Sequence, residues 1–143
     1  MTRVDFYVLN STDPKARAVT ACRLAEKAYG QGLKVYVHTE SEGDSLLLDE
    51  LMWTFRPGSF LPHAIHTAVQ GEAPPVLIGH DHEPTSHTDV LINLGAEIPL
   101  FFGRFQRVAE LVDQRAELLA QSRERFRFYR ERGYELNSHQ LKG

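Results

Sequence analysis

Five histidines lie close together in the middle of the sequence, and metal binding is the first chemistry that they suggest. They are His63, His66, His80, His82 and His87, and the carboxylates Asp81, Glu83 and Asp89 lie among or beside them. Imidazole and carboxylate groups are common ligands of zinc, so the cluster could serve a small metal-dependent α/β enzyme. Residues 79–88, however, have the composition of a surface loop, and no further motif fixes a tetrahedral geometry. The metal-dependent enzyme is therefore kept as the alternative hypothesis.

Other catalytic arrangements receive less support from the sequence. Serine, histidine and aspartate are present, but nothing resembles the strand-turn-helix of a nucleophile elbow. The single cysteine, Cys22, falls on the apolar side of a predicted helix, where packing is its ordinary role. The loop after the first predicted strand, residues 9–15, contains no glycine, so its backbone lacks the clearance to close around a phosphate. The sequence predicts neither nucleophilic catalysis nor a nucleotide cofactor.

The segment RERFRFYRERG, residues 123–133, is cationic and aromatic in a chain whose formal net charge is −3. Over residues 115–132 six arginines stand against three glutamates. On an ideal helix this part of the chain has an apolar face and, about 100° around, a cationic face. The apolar face consists of Leu119, Ser122, Phe126 and Tyr129, and the cationic face consists of Arg123, Arg127 and Arg130. This pattern predicts either a terminal helix with a solvated charged side or a surface for a local anionic partner.

A second cluster of large apolar residues surrounds a Pro-Gly turn within residues 51–62. Trp53, Phe55 and Phe60 are its aromatic members. Aromatic groups at such a turn are either tucked under the loop or offered to a binding partner. The residue pattern alone leaves both possibilities open.

Strands and helices alternate along most of the chain. Strands are predicted over 4–9, 33–38, 75–79 and 89–94, helices over 14–30 and from Ser41 or Asp44 to about Trp53, and a short extended segment over 60–63. Between positions 101 and 132 the periodicity alone allows one long helix. This order predicts a single three-layer α/β domain over residues 1–143, Rossmann-like, with a mostly parallel sheet and no glycine-rich nucleotide loop.

Composition narrows the class of protein further. The chain is 42% hydrophobic and 24% charged, which is typical of a soluble globular domain. The net negative charge argues against a general nucleic-acid coat and against direct binding of single-stranded DNA by the aromatic and arginine residues. The first ten residues lack the features of a secretory signal, and one cysteine cannot pair within the chain. We therefore expect a cytoplasmic protein without a membrane segment.

Several of these segments together resemble the chi subunit of bacterial DNA polymerase III holoenzyme. The similar segments are VDFYVL at 4–9, LMW at 51–53 with SFLPH at 59–63, DVLINL at 89–94, and RERFRFYR at 123–130 with GYELN at 133–137. They follow one order along almost the whole chain. The block around Trp53 and the C-terminal block are together the most specific part of the resemblance.

The resemblance implies a clamp-loader accessory protein that has no catalytic activity and no cofactor. Proteins of this family join the psi subunit on one side and bind the acidic C-terminal tail of single-stranded DNA-binding protein on another. They thereby contact DNA only indirectly, and a helicase-like protein could compete for the psi surface. The family likeness also changes two structural expectations, because it implies a strand over residues 106–112 and a terminal helix that begins near Gln114.

The resemblance also assigns residues to the two surfaces. The positions matching the tail-binding site are Arg123, Phe126, Arg127 and Arg130, with Val112 as a weaker candidate for the pocket wall, and those matching the psi surface are Trp53 and Phe60. A tail of aspartates that ends in proline and a terminal phenylalanine requires guanidinium groups for its charges and an apolar pocket for its ring. Where the family often has tyrosine and lysine, this chain has Phe126 and Arg127, which keeps both roles but removes a hydroxyl.

Overall fold

The computed structural model describes residues 2–141, and its centre is a seven-stranded sheet in which all paired strands are parallel. The strands are β1 (Arg3–Leu9), β2 (Val35–His38), β3 (His63–Ile65), β4 (Val76–Gly79), β5 (Val90–Asn93), β6 (Arg107–Val112) and β7 (Glu135–Leu141). The helices are α1 (Pro14–Gly30), α2 (Glu42–Thr54) and α3 (Ala116–Glu131), with short 3-10 turns at His66–Ala68 and Phe102–Arg104. The strand order across the sheet is β3-β4-β2-β5-β6-β1-β7.

Helices cover both faces of the sheet, so the predicted three-layer α/β fold is confirmed. On one face α1 and α2 pack against the strands through Ala21, Cys22, Ala25, Leu48 and Met52, which meet Val37, Ile78 and Ile92. On the other face α3 and the segment before β6 contribute Phe102, Phe105 and Tyr129, which pack with Phe6, Leu91 and Val108. Among the described residues no helix is both long enough and apolar enough to cross a membrane.

Helix α1 begins at Pro14, the first residue of the predicted helix, and α2 begins next to Ser41, one of the two start residues that the sequence allowed. Asp13 caps α1, because its carboxylate accepts from the Lys15 backbone N–H at 3.0 Å, and Pro14 occupies the first helical position. Ser41 caps α2 by accepting from the Asp44 backbone N–H at 3.2 Å. Both helices therefore begin a few residues after the carboxyl ends of the strands that precede them, β1 and β2.

Three predictions about elements need correction. The single long helix that periodicity allowed over 101–132 is wrong, because β6 occupies Arg107–Val112 and α3 begins only at Ala116, as the family resemblance implied. The extended segment expected at 60–63 corresponds to β3, which lies slightly later, at His63–Ile65. Strand β7 was not predicted at all. Its sequence, ELNSHQL, is polar because it forms an edge of the sheet with most side chains exposed.

The end of α3 explains how the chain enters β7. Gly133 has φ of 78°, and its N–H donates to the Arg130 carbonyl at 3.0 Å. The Tyr134 N–H donates to the Tyr129 carbonyl at 3.1 Å, which completes a Schellman motif. The glycine therefore stops α3 and reverses the chain into β7, which pairs with β1.

Position 79, at the end of β4, must be glycine because the backbone there lies very close to the Tyr36 side chain. A Cβ at this position would lie 2.8 Å from Tyr36 Cζ, and Tyr36 is fully buried with its hydroxyl donating to the His82 carbonyl at 3.0 Å. The tyrosine cannot move away without losing that bond. We expect Gly79→Ala to lower the free energy of unfolding by about 1–3 kcal/mol, as overpacking usually does, in urea denaturation.

Gly43 provides a matched control for this substitution. It lies in α2, and an added Cβ would meet only Ser41 Oγ, at 3.8 Å. Gly43→Ala should therefore leave the stability unchanged or raise it by up to about 1 kcal/mol. If the Gly79→Ala protein were as stable as the parent, position 79 would not require glycine and the prediction would be wrong.

Candidate protein-binding surfaces

Helix α3 presents three arginines to solvent on one side, as the helical spacing predicts. Arg123, Arg127 and Arg130 are all exposed, and we refer to them as the arginine ridge. Arg127 lies 3.7 Å from the carboxylate of Glu124, and both side chains are more than half exposed. Such an exposed pair contributes little to stability, so it does not prevent Arg127 from binding an anion. Within residues 2–141 neither Arg123 nor Arg130 forms an ion pair.

Phe126 lies beside the ridge at the border of the core. Its side chain is half-buried, and its ring centroid is 5.3 Å from that of Phe6 on β1. Val112 belongs to the same hydrophobic cluster but is only 2% exposed. A ligand would reach Val112 only after neighbouring side chains move, so its role as a pocket wall stays a prediction. Phe126, in contrast, is partly exposed, and the helical spacing makes Arg123 and Arg130 its neighbours on the surface of α3.

Arg125 points into the protein, although the charged residues on either side of it in α3, Glu124 and Arg127, are exposed. It is 4% exposed, its Nε is 3.2 Å from Glu110 Oε1, and its Nη1 donates to the Ala96 carbonyl. Glu110 is fully buried on β6 and accepts from the Tyr129 hydroxyl at 2.7 Å and from Asn93 Nδ2 at 3.1 and 3.2 Å. These contacts form a buried polar network that connects α3 with two strands of the sheet.

The charges in this network stabilise one another, so the loss of any one member would destabilise the others. Burial raises the pKa of Glu110, while the neighbouring Arg125 and the bonds from Tyr129 and Asn93 act in the opposite direction. Burial also raises the pKa of Tyr129, so its hydroxyl keeps the proton that it donates to Glu110. The network fixes the rotation of α3 about its axis. It thereby also fixes the outward direction of the arginine ridge.

Sequence reasoning missed this network, although two signals for it were present. Arg125 precedes Tyr129 by four residues and therefore shares its inward side of the helix. Glu110 alternates with its neighbours on the same side of β6 as Val108 and Val112, both of which are buried. A charged residue on each of two facing apolar surfaces indicates a buried ion pair.

Trp53 and Phe60 expose large apolar areas on another part of the molecule. Trp53, near the end of α2, is 61% exposed, and its ring centroid is 4.4 Å from that of His63. Phe60, in the loop between α2 and β3, is 87% exposed. Trp53 and Phe60 are therefore not buried under the loop, which was one of the two possibilities that the sequence left open. Phe55, the third aromatic residue, packs against the core.

The turn between α2 and β3 holds Phe60 in this exposed position. Gly58 has φ of 79°, a conformation that favours glycine, and the Ser59 backbone N–H donates to the Arg56 carbonyl at 3.2 Å. Glu26 on α1 anchors the turn by accepting from Arg56 Nε at 3.1 Å and from the Ser59 hydroxyl at 2.6 Å. Ser59 and Leu61 on either side of Phe60 are buried, so Phe60 is directed outward.

Three of the histidines, His66, His80 and His82, lie near one another, and most of the five are engaged in other contacts. His63 Nδ1 lies 2.7 Å from the Leu61 carbonyl, and its Nε2 lies 3.1 Å from the Asp49 carbonyl. His87 is buried, with Nε2 2.7 Å from the Pro74 carbonyl, and His80 contacts the Ser45 hydroxyl at 3.0 Å. His66 and His82 stack at 4.6 Å between ring centroids. In the described part of the chain no three histidine, cysteine or acidic residues are grouped as a metal ion would require.

Comparison with known sequences gives one consistent result. The family model described as DNA polymerase III chi subunit, HolC, matches residues 1–137. A Pseudomonas aeruginosa protein named DNA polymerase III subunit chi is 48% identical over 141 residues, which cover 99% of this chain and 98% of that protein. The proteins of the same name from Haemophilus influenzae and Escherichia coli are 32% and 28% identical, over 93% and 96% of this chain and 93% and 97% of their own.

The similarity to solved structures supports the fold alone. T4 UvsW superposes with a TM-score of 0.68 at 9% sequence identity, over 99% of this chain and 42% of that one. Domain 2 of the DEAD-box helicase Mss116p, bound to an RNA duplex, superposes with a TM-score of 0.63 at 8% identity, over 98% of this chain and 64% of that one. At such low identities these likenesses support the Rossmann-like architecture and carry no information about ligands.

Proposed function

Because the chain belongs to the DNA polymerase III chi subunit family, we propose that it connects two other proteins of the bacterial replication machinery, the psi subunit and single-stranded DNA-binding protein. It is a replication accessory subunit and not a catalytic enzyme. In this proposal it serves the clamp loader in the cytoplasm and contacts DNA only indirectly. A metal-dependent enzyme receives no support from the positions of the histidines.

The observation that carries the proposal is the position of the arginine ridge next to Phe126. An acidic tail that ends in phenylalanine needs cations for its carboxylates and an apolar surface for its ring. Arg123, Arg127 and Arg130 supply exposed guanidinium groups, and Phe126 supplies the aromatic surface. Arginine suits this role because its fork of donors matches a carboxylate and is always charged. We therefore assign the tail of single-stranded DNA-binding protein to this side of α3.

A separate surface is assigned to the psi subunit. Trp53 and Phe60 are exposed aromatic residues, and such residues often contribute most of the binding energy of an interface. They belong to α2 and to the loop that follows it, whereas the ridge belongs to α3, which covers the opposite face of the sheet. The two partners could therefore bind at the same time. A helicase-like protein that recognises the same aromatic pair would compete with psi.

Phe60→Ala is expected to weaken binding of a purified psi subunit at least about tenfold, since truncation of a central aromatic residue commonly has this effect. Stability should not change, because 87% of the Phe60 side chain is already exposed. Surface plasmon resonance with the immobilised chain would measure the dissociation constant.

Leu100→Ala is the matched control, because Leu100 is a fully exposed apolar residue between β5 and β6. It should bind psi as tightly as the parent. If Phe60→Ala and Leu100→Ala bound psi equally well, the assignment of the psi surface would be wrong.

A further inference from the structure

A cavity at the carboxyl ends of the strands combines positive charge with apolar walls. Its volume is about 440 Å³, within the usual range for small-ligand sites. Lys15, Arg17 and Arg115 contribute the positive charge, and among the described residues Asp44 is the one acidic residue along the wall. The apolar part of the wall is formed by Ala18, Leu47, Leu48, Leu51 and Leu94. An anion with an apolar body would match both parts of this lining.

The cavity lies at the place in the fold where ligands of open parallel sheets usually bind. Strands β2 and β5 are neighbours, and Thr39 and Leu94, which directly follow them, both line the cavity. After β2 the chain continues into α2 on one face of the sheet, whereas after β5 it continues onto the other face. Because the connections that follow these two adjacent strands lie on opposite faces of the sheet, a crevice opens between them at its carboxyl edge.

Arg17 gives an independent indication that an anion is accommodated here. It is only 9% exposed, with Nε donating to the Leu111 carbonyl at 2.9 Å and Nη1 to the Leu94 carbonyl at 3.3 Å. Its buried Nη2 has no hydrogen-bond partner among the described residues. An unsatisfied buried guanidinium donor is costly, so a nearby anion would be stabilising. Burial and the neighbouring Arg125 lower the pKa of Arg17 to about 10, and the carboxylates of Asp113 and Glu110 offset this effect only in part.

The other two cations are also positioned to contribute. The Lys15 side chain is exposed at the start of α1, and no ion pair or hydrogen bond of its ammonium group occurs within residues 2–141. Arg115 is held by the buried Asp113, at 2.9 Å from its Nε and 2.8 Å from its Nη2. That bond orients the Arg115 guanidinium without occupying all of its donors.

We propose that this cavity binds a small organic anion, with a carboxylate or phosphate group near Lys15, Arg17 and Arg115 and an apolar body against Leu47, Leu51 and Leu94. The glycine-free loop after β1 leaves no backbone cradle for a polyphosphate, so a single anionic group fits better. The site is distinct from the arginine ridge, because α1 and α2 cover one face of the sheet and α3 covers the other. The proposal does not depend on the proposed function of the ridge.

Titration of the isotope-labelled protein with benzoate and with phenyl phosphate, followed by NMR chemical shifts, tests the site. Benzyl alcohol is the uncharged control with the same ring. We expect one or both anions, but not the alcohol, to shift the backbone amides of residues 15–18, 94 and 115 in a saturable way. A preference between the two anions tells whether the natural group is a carboxylate or a phosphate.

Lys15→Gln should weaken this binding at least about tenfold, because it removes a charge-assisted contact. Lys34→Gln removes an exposed lysine at the opposite ends of the strands and should leave binding unchanged. Both positions are exposed, so neither substitution should prevent folding. The proposal is overturned if neither anion shifts these amides, if the alcohol shifts them equally, or if Lys15→Gln binds as tightly as Lys34→Gln.

Discussion

Replacement of Arg127 by alanine is expected to weaken binding of a synthetic acidic peptide ending in Ile-Pro-Phe at least about tenfold. The reason is the loss of a charge-assisted hydrogen bond, which is stronger than a bond between neutral groups. Arg127 stands in the middle of the arginine ridge, and the one ion pair that it forms within residues 2–141, with Glu124, is long and exposed. Its removal should therefore affect peptide binding and leave the free energy of unfolding nearly unchanged. Isothermal titration calorimetry measures the first quantity and urea denaturation the second.

Arg23→Ala is the matched control for the ridge. Arg23 is an exposed arginine of α1, on the opposite face of the sheet, and its substitution changes the net charge by the same amount. A general electrostatic attraction would weaken equally in both variants. Equal affinity of Arg127→Ala and Arg23→Ala for the peptide would show that the ridge is not the receptor.

The second large effect concerns stability and the buried polar network. Arg125→Met should lower the free energy of unfolding by about 3–5 kcal/mol, because it leaves Glu110 buried without its positive partner. The double variant Arg125→Met/Glu110→Gln should recover part of this loss, since the amide carries no charge and can still contact Tyr129 and Asn93. Urea denaturation of the four proteins of this double-mutant cycle gives the coupling energy. Additive effects of the two substitutions would contradict a direct interaction between Arg125 and Glu110.

Local signals were sufficient to predict most of the elements that position the two surfaces. Side-chain chemistry within a few residues indicates the start of α1, the alternatives Ser41 and Asp44 for the start of α2, and the apolar runs that became β4 and β5. Strand β7 could not be predicted in this way. Its seven residues are mostly exposed, and only pairing with β1, more than 120 positions earlier, makes them a strand.

The candidate surfaces were predictable to different degrees. The spacing of Arg123, Arg127 and Arg130 identifies an exposed cationic side of a helix without any structure. The inward direction of Arg125 depends on the position of Glu110 beneath α3, which is a tertiary property. For Phe60 the sequence left burial and exposure open, because the outcome depends on how Glu26 anchors the preceding turn.

Calorimetry at two salt concentrations can test the proposed binding of the acidic tail of single-stranded DNA-binding protein to α3. The titrants are the acidic peptide ending in Ile-Pro-Phe and the same peptide without its terminal phenylalanine. We predict binding that weakens with added salt, because the ridge is exposed, and that requires the phenylalanine, because its ring would contact Phe126. Absence of binding by either peptide would contradict the claim and return the arginine ridge to an ordinary solvated helix face.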